Sequence, residues 1–256
     1  MFKIDVLASS SAGNCYIISK GDFHFMIECG IPVGDINSKM LKLGLNLNNI
    51  SFCLISHKHK DHSREEKPIA RSGVKLIGPE EVVSQFRSAT IAKPKEILEI
   101  KGSRIIPFEV NHGECYCLGY AIEHQGDWLM FATDCRLIEA DLSKYPIQQM
   151  MIECNYLDEK VGVDSYRERR QINTHMSLEG CIKHIQKFKS SSLKEVYLLH
   201  MSAAYGDTLI SKARVEQAVG KDVVVYVAQE RGGVCWWLML NGLKLLPTCL
   251  IIEKLS

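Results

Sequence analysis

Three histidines and an aspartate stand within six residues of this chain, in the stretch His57-Lys-His-Lys-Asp-His62. Imidazole nitrogen and carboxylate oxygen are donors that zinc prefers, and a zinc ion takes about four of them. Three further residues of these types each follow an apolar run, namely His112, Asp134 and His200. Seven donors, one of them shared, are enough for two open sites. We therefore predict a centre of two Zn²⁺ ions, with Mn²⁺ as an alternative metal.

Each predicted ion has its own ligands. In an extended segment, alternate side chains point the same way, so His57 and His59 can face the same side. There they would meet His112 and hold the first ion. Three residues serve the second ion: Asp61, His62 and His200. Asp134 is predicted to bridge the two ions. A solvated loop would explain the 57–62 stretch alone, but it would not explain why the same residue types recur after other apolar runs.

The elements that must position these residues are strands alternating with helices. Apolar runs bounded by turn residues predict strands over 2–8, 15–19, 23–28, 51–56, 74–78, 104–110, 116–124, 127–133, 149–153, 195–199 and 222–228. Helical spacing predicts helices over 35–43, 177–189 and 208–219. Because α/β proteins place their sites at the carboxyl ends of strands, we expect the seven donors to converge on one edge. The chain shows no linker, so we predict one α/β domain over 1–256.

Composition limits what the chain can do. Its 256 residues are 46% hydrophobic with a net charge of +1, so no whole-molecule field attracts nucleic acid, and any polyanion site must be local. No run of about 18 apolar residues is present, which predicts no membrane span. The ten cysteines are scattered through apolar stretches and no secretory signal is seen. We expect reduced thiols and a cytoplasmic protein, in the host cytoplasm if the chain is viral.

The signature His-x-His-x-Asp-His over 57–62 resembles that of the metallo-β-lactamase superfamily. The stretches "LASSSAGNCYII", "NHG", "TDC" and "LLHMS" resemble its other motifs, so the likeness runs from Leu7 to about Ala228. The resemblance implies an αββα sandwich with a dinuclear zinc centre at one edge. Where the family has Asp-x-Gly, this chain has Glu28-Cys29-Gly30. Either Glu28 supports the ligand loop with one extra methylene, or the motif is shifted.

Two further stretches, "MMIECNYLDEK" and "NTHMSLEG", resemble the ribonuclease Z and YycJ-like branch of the superfamily. In that branch a histidine matching His175 reaches the scissile phosphate without binding zinc, which implies a general acid or a charge stabiliser. The alternative is a surface histidine that precedes a helix. We predict Asp61 and His175 as the catalytic residues, with water activated by the two metals as the nucleophile.

The segments between these motifs hold neither the basic arm nor the clamp domain of the larger RNA-cleaving relatives, which favours a small substrate. The chain resembles phage anti-Pycsar enzymes, and this implies hydrolysis of 3′,5′-cyclic mononucleotides to nucleoside monophosphates. The alternative is a YycJ-like DNA exonuclease with the same ligands and a nucleic-acid substrate. A third hypothesis is a metal-binding regulatory protein without turnover.

Two segments lie outside the common pattern. Arg167, Arg169 and Arg170 in "SYRERRQ" either anchor a nucleotide or form a solvated charged face. Asn241-Gly242 predicts a hairpin over 234–252, as a C-terminal β-hairpin extension. Its apolar residues, which include Trp236 and Trp237, either cover the sandwich or form a homodimer interface, and we favour the homodimer.

Overall fold

The computed structural model describes residues 1–235, whose strands form two sheets. The first sheet contains β1 (Lys3–Ser10), β2 (Gly13–Lys20), β3 (Phe23–Ile27), β4 (Ile50–Leu54), β5 (Lys75–Gly78) and β6 (Thr90–Ile91). The second contains β7 (Leu98–Ile100), β8 (Ser103–His112), β9 (Cys115–His124), β10 (Asp127–Ala132), β11 (Gln149–Glu153), β12 (Glu195–Leu199), β13 (Val224–Ala228) and β14 (Val234–Cys235). The helices are α1 (Val33–Lys42), α2 (Lys60–Ser63), α3 (Glu66–Arg71), α4 (Glu80–Val83), α5 (Tyr166–Thr174), α6 (Leu178–Phe188) and α7 (Thr208–Val219).

Both sheets are mixed, antiparallel on one side and parallel on the other. In the first, β1, β2 and β3 pair antiparallel, and β3 to β6 pair parallel. In the second, β7 to β10 are antiparallel, β10 to β13 are parallel, and β14 is antiparallel to β13. β9 and β10 form an antiparallel hairpin. Gln125 and Gly126 at its tip both have positive φ, as a two-residue type I′ turn requires.

Three layers of apolar side chains hold the sheets and helices together. Between the sheets, Phe25 and Phe52 of the first sheet face Phe131 and other buried residues of the second. On the outer face of the first sheet, Ile36 and Met40 of α1 are buried. On the outer face of the second sheet, α6 and α7 bury their own apolar residues. The order of layers is helix, sheet, sheet, helix, and the predicted αββα fold class is confirmed.

The long elements follow their sequence patterns closely. The helices predicted over 177–189 and 208–219 are α6 and α7, and the Ser177 hydroxyl accepts a hydrogen bond from the Gly180 N–H as an N-cap. The structure also contains α2 to α5 and the strands β6 and β7, for which the sequence analysis gave no bounds. Most of these elements have six residues or fewer, too few for a hydrophobic period to show in the sequence.

The predicted C-terminal extension falls largely outside the described residues. Val234 and Cys235 form β14 and pair with β13. The remainder of the hairpin predicted over 234–252, with Asn241-Gly242 at its turn and the two tryptophans of the proposed dimer interface, lies beyond residue 235. The homodimer stays a prediction.

Two findings concern the predictions made from composition about membrane spans and cysteines. Within residues 1–235, no helix is both long enough and apolar enough to cross a bilayer. The eight cysteines from Cys15 to Cys181 are free thiols, and seven of them are buried.

Candidate metal centre and active site

All seven predicted ligands lie together at one edge of the sandwich, past the carboxyl ends of strands or in the short helix that follows β4. His57 and His59 precede α2, and Asp61 and His62 lie within it. His112 ends β8, Asp134 follows β10, and His200 comes directly after β12. The convergence that the strand ends predicted is therefore present in the structure.

The backbone turns sharply where two of these residues leave their strands. Asp134 and His200 have φ of 47° and 53°, and Glu28, directly after β3, has 62°. The left-handed region is costly for residues other than glycine, and such residues collect at functional sites, where the surrounding structure holds them. The turn at each position carries the side chain to the edge instead of continuing the strand.

The first group of donors consists of three imidazoles and one carboxylate. Nε2 of His57 and Nδ1 of His59 lie 2.8 Å apart, and Nε2 of His112 lies 3.3 Å from the same Nδ1. Oδ2 of Asp134 is 3.9 Å from His57 Nε2 and 3.6 Å from His112 Nε2. One donor atom from each of these four residues falls within 4.8 Å of the others, a spacing that can hold a metal ion.

The second group has two imidazoles and two carboxylates. Nε2 of His62 is 3.2 Å from Oδ2 of Asp61 and 3.3 Å from Oδ1 of Asp134. Nε2 of His200 is 3.6 Å from the same Asp61 oxygen. Asp134 thus turns Oδ2 to the first group and Oδ1 to the second, which is the placement that a bridging carboxylate needs.

The acidic and basic side chains of the cluster shift one another's pKa values. Burial acts to raise the pKa of Asp134, but His200 and His62 outweigh it and hold that pKa well below its usual range. Burial acts to lower the pKa of His200, but the charges of Asp134 and its other acidic neighbours raise it to about 10. Burial and the neighbouring His62 keep the pKa of His57 well below its usual range. Burial also acts to lower the pKa of His62, but Asp134 and Glu28 outweigh it and raise that pKa.

The residues of the cluster fit a dinuclear metal centre. Nε2 of His200 and Nδ1 of His62 are buried and have no hydrogen-bond partner among residues 1–235. A buried polar atom without a hydrogen-bond partner costs free energy. Because the Asp61 carboxylate lies 3.6 Å from Nε2 of His200, a cation bound between them would interact with both groups. Binding of metal would release the protons held on the imidazoles and replace them with positive charge. Imidazole and carboxylate are also the donors that zinc and related divalent ions accept.

Glu28 supports the ligand loop, so the motif containing it is not shifted. The carboxylate is fully buried and accepts a hydrogen bond from the Ser56 N–H at 3.2 Å, directly before His57. Its Oε1 lies 3.5 Å from Nδ1 of His62. At Gly30, a Cβ would stand 1.7 Å from the Asp61 carbonyl oxygen, so only glycine lets this turn approach α2.

His175 lies beside both groups of donors and is held by a buried carboxylate. It follows α5 directly as the C-cap residue, and its Nδ1 is 2.7 Å from Oε1 of Glu153. Its ring stacks on His200 with centroids 5.3 Å apart. Burial acts to lower the pKa of His175, but Glu153 outweighs it and the pKa is raised. His175 also joins Asp134, Glu153 and His200 in a third group that is close enough to hold an ion.

Three supporting residues were missed in the sequence. Glu153 receives hydrogen bonds from the Cys135 N–H as well as from His175. Asn155 donates to the His200 carbonyl oxygen, and Ser9 accepts from the His200 N–H. Glu153 ends the apolar strand β11 at the ligand edge. The position rule that selected Asp134 and His200 applied equally to Glu153, whereas the contacts of Ser9 join residues 191 positions apart and leave no local signal.

Comparison with known proteins places the chain in a family. The family model described as "Beta-lactamase superfamily domain" matches residues 32–201. The chain belongs to this family. It is 22% identical over 251 residues to the exodeoxyribonuclease WalJ of Streptococcus pneumoniae serotype 2 (strain D39 / NCTC 7466), covering 88% of this chain and 93% of WalJ.

Solved structures share its fold. The metallo-β-lactamase fold protein YhfI from Bacillus subtilis superposes with a TM-score of 0.69 and 16% identity, covering 91% of this chain and 98% of YhfI. The short form of human tRNase Z gives 0.63 with 12% identity, covering 89% of this chain and 96% of that protein. The predicted metallo-β-lactamase fold is confirmed, and with this donor cluster the chain is a metal-dependent hydrolase.

Proposed function

We propose that the chain is a phosphodiesterase with a dinuclear zinc centre, in which His57, His59 and His112 hold one ion and Asp61, His62 and His200 hold the other. Asp134 would bridge the two. The observation that carries this proposal is the pairing of His175 with Glu153 directly beside the donor cluster. Hydrolysis of a diester needs a proton for the departing oxygen, and a buried, oriented histidine can supply it.

We assign separate roles to the two metals and to Asp61. Two divalent cations, when bound, supply an acidified water as nucleophile and positive charge for the phosphate oxygens. Asp61 has the more exposed carboxylate of the two in the second group, with 23% of its side chain accessible against 4% for Asp134. It is therefore the carboxylate that can also orient the incoming water.

His175 completes the reaction. Glu153 holds the proton on Nδ1 of His175 and favours the charged ring, while Nε2 makes no hydrogen bond within the described part of the chain. As the water oxygen bonds to phosphorus, the water loses a proton to solvent. The P–O bond to the leaving group breaks, and Nε2 gives its proton to the departing oxygen, after which solvent protonates the ring again. The products are a phosphomonoester and an alcohol.

Two substrates are compatible with this chemistry. A nucleic acid is supported by the likeness to the exodeoxyribonuclease WalJ and to the fold of tRNase Z. A 3′,5′-cyclic mononucleotide, as the anti-Pycsar resemblance implied, is supported by the net charge of only +1. Both substrates require the same bond to be cut, and they differ in what must be held around it.

The test is product formation by purified protein loaded with Zn²⁺ or Mn²⁺. The substrates are bis(p-nitrophenyl) phosphate, a panel of 3′,5′-cyclic nucleotides, and single- and double-stranded DNA. His59→Ala is the metal-site variant, and His24→Ala, far from the cluster, is the matched control. Cleavage of any diester by the protein and its His24 variant, with loss in the His59 variant, supports the proposal. Two metals bound with no diester cleaved would instead indicate a regulatory protein.

A further inference from the structure

Two open cavities lie on either side of α3, next to the ligand motif. The first, of about 580 Å³, reaches Asp61 and is lined by Lys58, Lys60 and Arg64. The second, of about 530 Å³, is lined by Lys67, Arg71 and Arg87. α3 contributes Glu66 to the first cavity and Lys67 to the second, so the linings of the two cavities meet at these adjacent residues. The surface that they form together includes Asp61, one of the predicted metal ligands.

This surface is strongly basic in a chain that is nearly neutral overall. Its six cations, which we call the basic path, are exposed: Lys58, Lys60, Arg64, Lys67, Arg71 and Arg87. The carboxylates in the same two cavities are those of Asp61 and Glu66. Lys58 pairs with Glu81, and Arg64 pairs with Glu65. Across residues 1–235, the other four cations form no ion pair, so they are available to an anionic partner.

On the other side of the site, two of the three arginines of the 165–171 segment already have partners. Arg169 donates hydrogen bonds to the carbonyl oxygens of Val163 and Asp164. The guanidinium of Arg167 lies over the ring of Tyr205, 5.6 Å from its centroid. Two of the three arginines in the nucleotide anchor predicted over 165–171 are therefore less free to bind an anion than the four cations of the basic path that form no ion pair within residues 1–235.

The second cavity also contains an aromatic side chain. Phe86 is half-buried between the exposed residues Gln85 and Arg87. Proteins that bind single-stranded nucleic acid combine a positively charged groove with aromatic rings on which bases stack. In a duplex the bases are stacked on one another and cannot offer their faces to such a ring. The combination at Phe86 therefore favours a single strand.

We propose that the basic path binds a single-stranded nucleic acid, which runs from the second cavity over α3 and brings its scissile phosphate to the metal centre at Asp61. The inference rests on the proposed phosphodiesterase function and names the substrate class of that same site. Cations spaced along a path match a chain of phosphates, whereas a cyclic mononucleotide carries one phosphate and would use only the cations nearest to Asp61.

The experiment measures binding of a fluorescent single-stranded DNA, with phosphorothioate at every linkage to resist cleavage, by the metal-loaded protein at several salt concentrations. The test variant is Lys67→Gln/Arg71→Gln/Arg87→Gln. The matched control is Lys183→Gln/Lys187→Gln/Lys221→Gln, which removes the same charge from exposed positions elsewhere. We expect the test variant to lose about tenfold or more in affinity at low salt. The slope of log K against log salt should become shallower by about 2, since each lost phosphate contact removes about 0.7.

Three outcomes would overturn the proposal. They are an unchanged affinity and slope in the test variant, an equal loss in the control variant, or tighter binding of duplex than of single-stranded DNA by the unmodified protein. Thermal unfolding of both variants shows whether they are folded. Hydrolysis of bis(p-nitrophenyl) phosphate by the unmodified protein tests the phosphodiesterase function separately. Loss of that function with intact strand binding, or the reverse, identifies which proposal has failed.

Discussion

The two ends of the sandwich both contain histidines, but they use them differently. We call the edge with the donor cluster the ligand end, and the opposite edge, with the β9–β10 turn at Gln125 and Gly126, the hairpin end. β8 runs between them, with Ser103 at the hairpin end and His112 at the ligand end. At the hairpin end, Nδ1 of His124 lies 2.9 Å from the Ser103 hydroxyl, and the Phe23 ring stacks on His124 with centroids 4.0 Å apart. At the ligand end, imidazoles face one another and share carboxylates. A metal centre is therefore marked by convergence of donors, not by the presence of histidine.

The two ends also differ in where their non-glycine residues have positive φ. At the ligand end, Glu28, Asp134 and His200 have positive φ, and each presents its side chain to the cluster. At the hairpin end, the non-glycine residues with positive φ, Lys101 and Gln125, lie in turns. Positive φ at the hairpin end closes turns between strands, whereas at the ligand end it aims functional groups. Substitutions at the two ends should accordingly affect different measurements.

The largest effect is expected for Asp134→Asn. The amide keeps the shape but loses the negative charge that faces both donor groups. We expect both metals to be lost on dialysis and turnover to fall by about a thousandfold, because several kcal/mol of transition-state stabilisation depend on the metals. Metal content by mass spectrometry and hydrolysis of bis(p-nitrophenyl) phosphate measure this. Asp141→Asn, at an exposed loop residue, is the control; two ions retained in Asp134→Asn would show that Asp134 is not a bridge.

His175→Ala should separate catalysis from metal binding. We expect turnover to fall about 10²- to 10³-fold, as is typical when a general acid is removed, while two ions per chain remain bound. Metal content and turnover are measured on the same sample, with His24→Ala as the control. Because His175 also belongs to a group that could hold an ion, loss of one metal in this variant would identify it as a ligand and not as the acid.

Glu153→Gln should give a smaller loss than removal of His175 itself. The amide remains buried beside Nδ1 of His175 but no longer carries the charge that holds the proton there. Groups that orient a functional residue contribute about 10- to 100-fold in activity. We expect a fall of that size in kcat with little change in KM. A variant with normal kcat and lost metal would mean that Glu153 acts through the third donor group instead.

Sequence reasoning located the ligand end well because its residues obey a local rule. His57 to His62 form a compact pattern, and Asp134 and His200 each follow a long apolar strand that is visible by its composition. The hairpin between β9 and β10 likewise carries its own turn residues. What escaped prediction depends on contacts between distant residues. In the second cavity of the basic path, Lys67 and Arg71 of α3 meet Arg87 of another segment, and no period or motif connects these three residues.

The hairpin end should respond in stability and not in chemistry. His124→Ala removes the partner of the Ser103 hydroxyl and the ring that stacks on Phe23. We expect the free energy of unfolding in urea to fall by about 1–3 kcal/mol, the usual range for a buried polar contact of this kind. Metal content and turnover should match those of the unmodified protein. A change in either would show that the two ends are coupled through β8, and the comparison between them would fail.

The smallest expected effect comes from Asp127 at the same end, where Lys20 places its ammonium 2.7 Å from the carboxylate and also donates to the His124 carbonyl oxygen. Burial acts to raise the pKa of Asp127, but Lys20 and the amino group of Met1 outweigh it and lower that pKa. A carboxylate whose pKa is lower in the folded chain stabilises the fold above its unfolded pKa of about 4, and this stabilisation is lost as the pH falls through the folded value. Asp127→Asn should thus cost up to about 1 kcal/mol at pH 7, as for a partly exposed ion pair, and less as the pH falls below about 4. Urea unfolding of both chains in EDTA, at several pH values, removes any contribution of metal from the comparison. If the difference in the free energy of unfolding between the two chains stays constant with pH, Asp127 acts through packing or neutral hydrogen bonds. Its charge would then not stabilise the hairpin end.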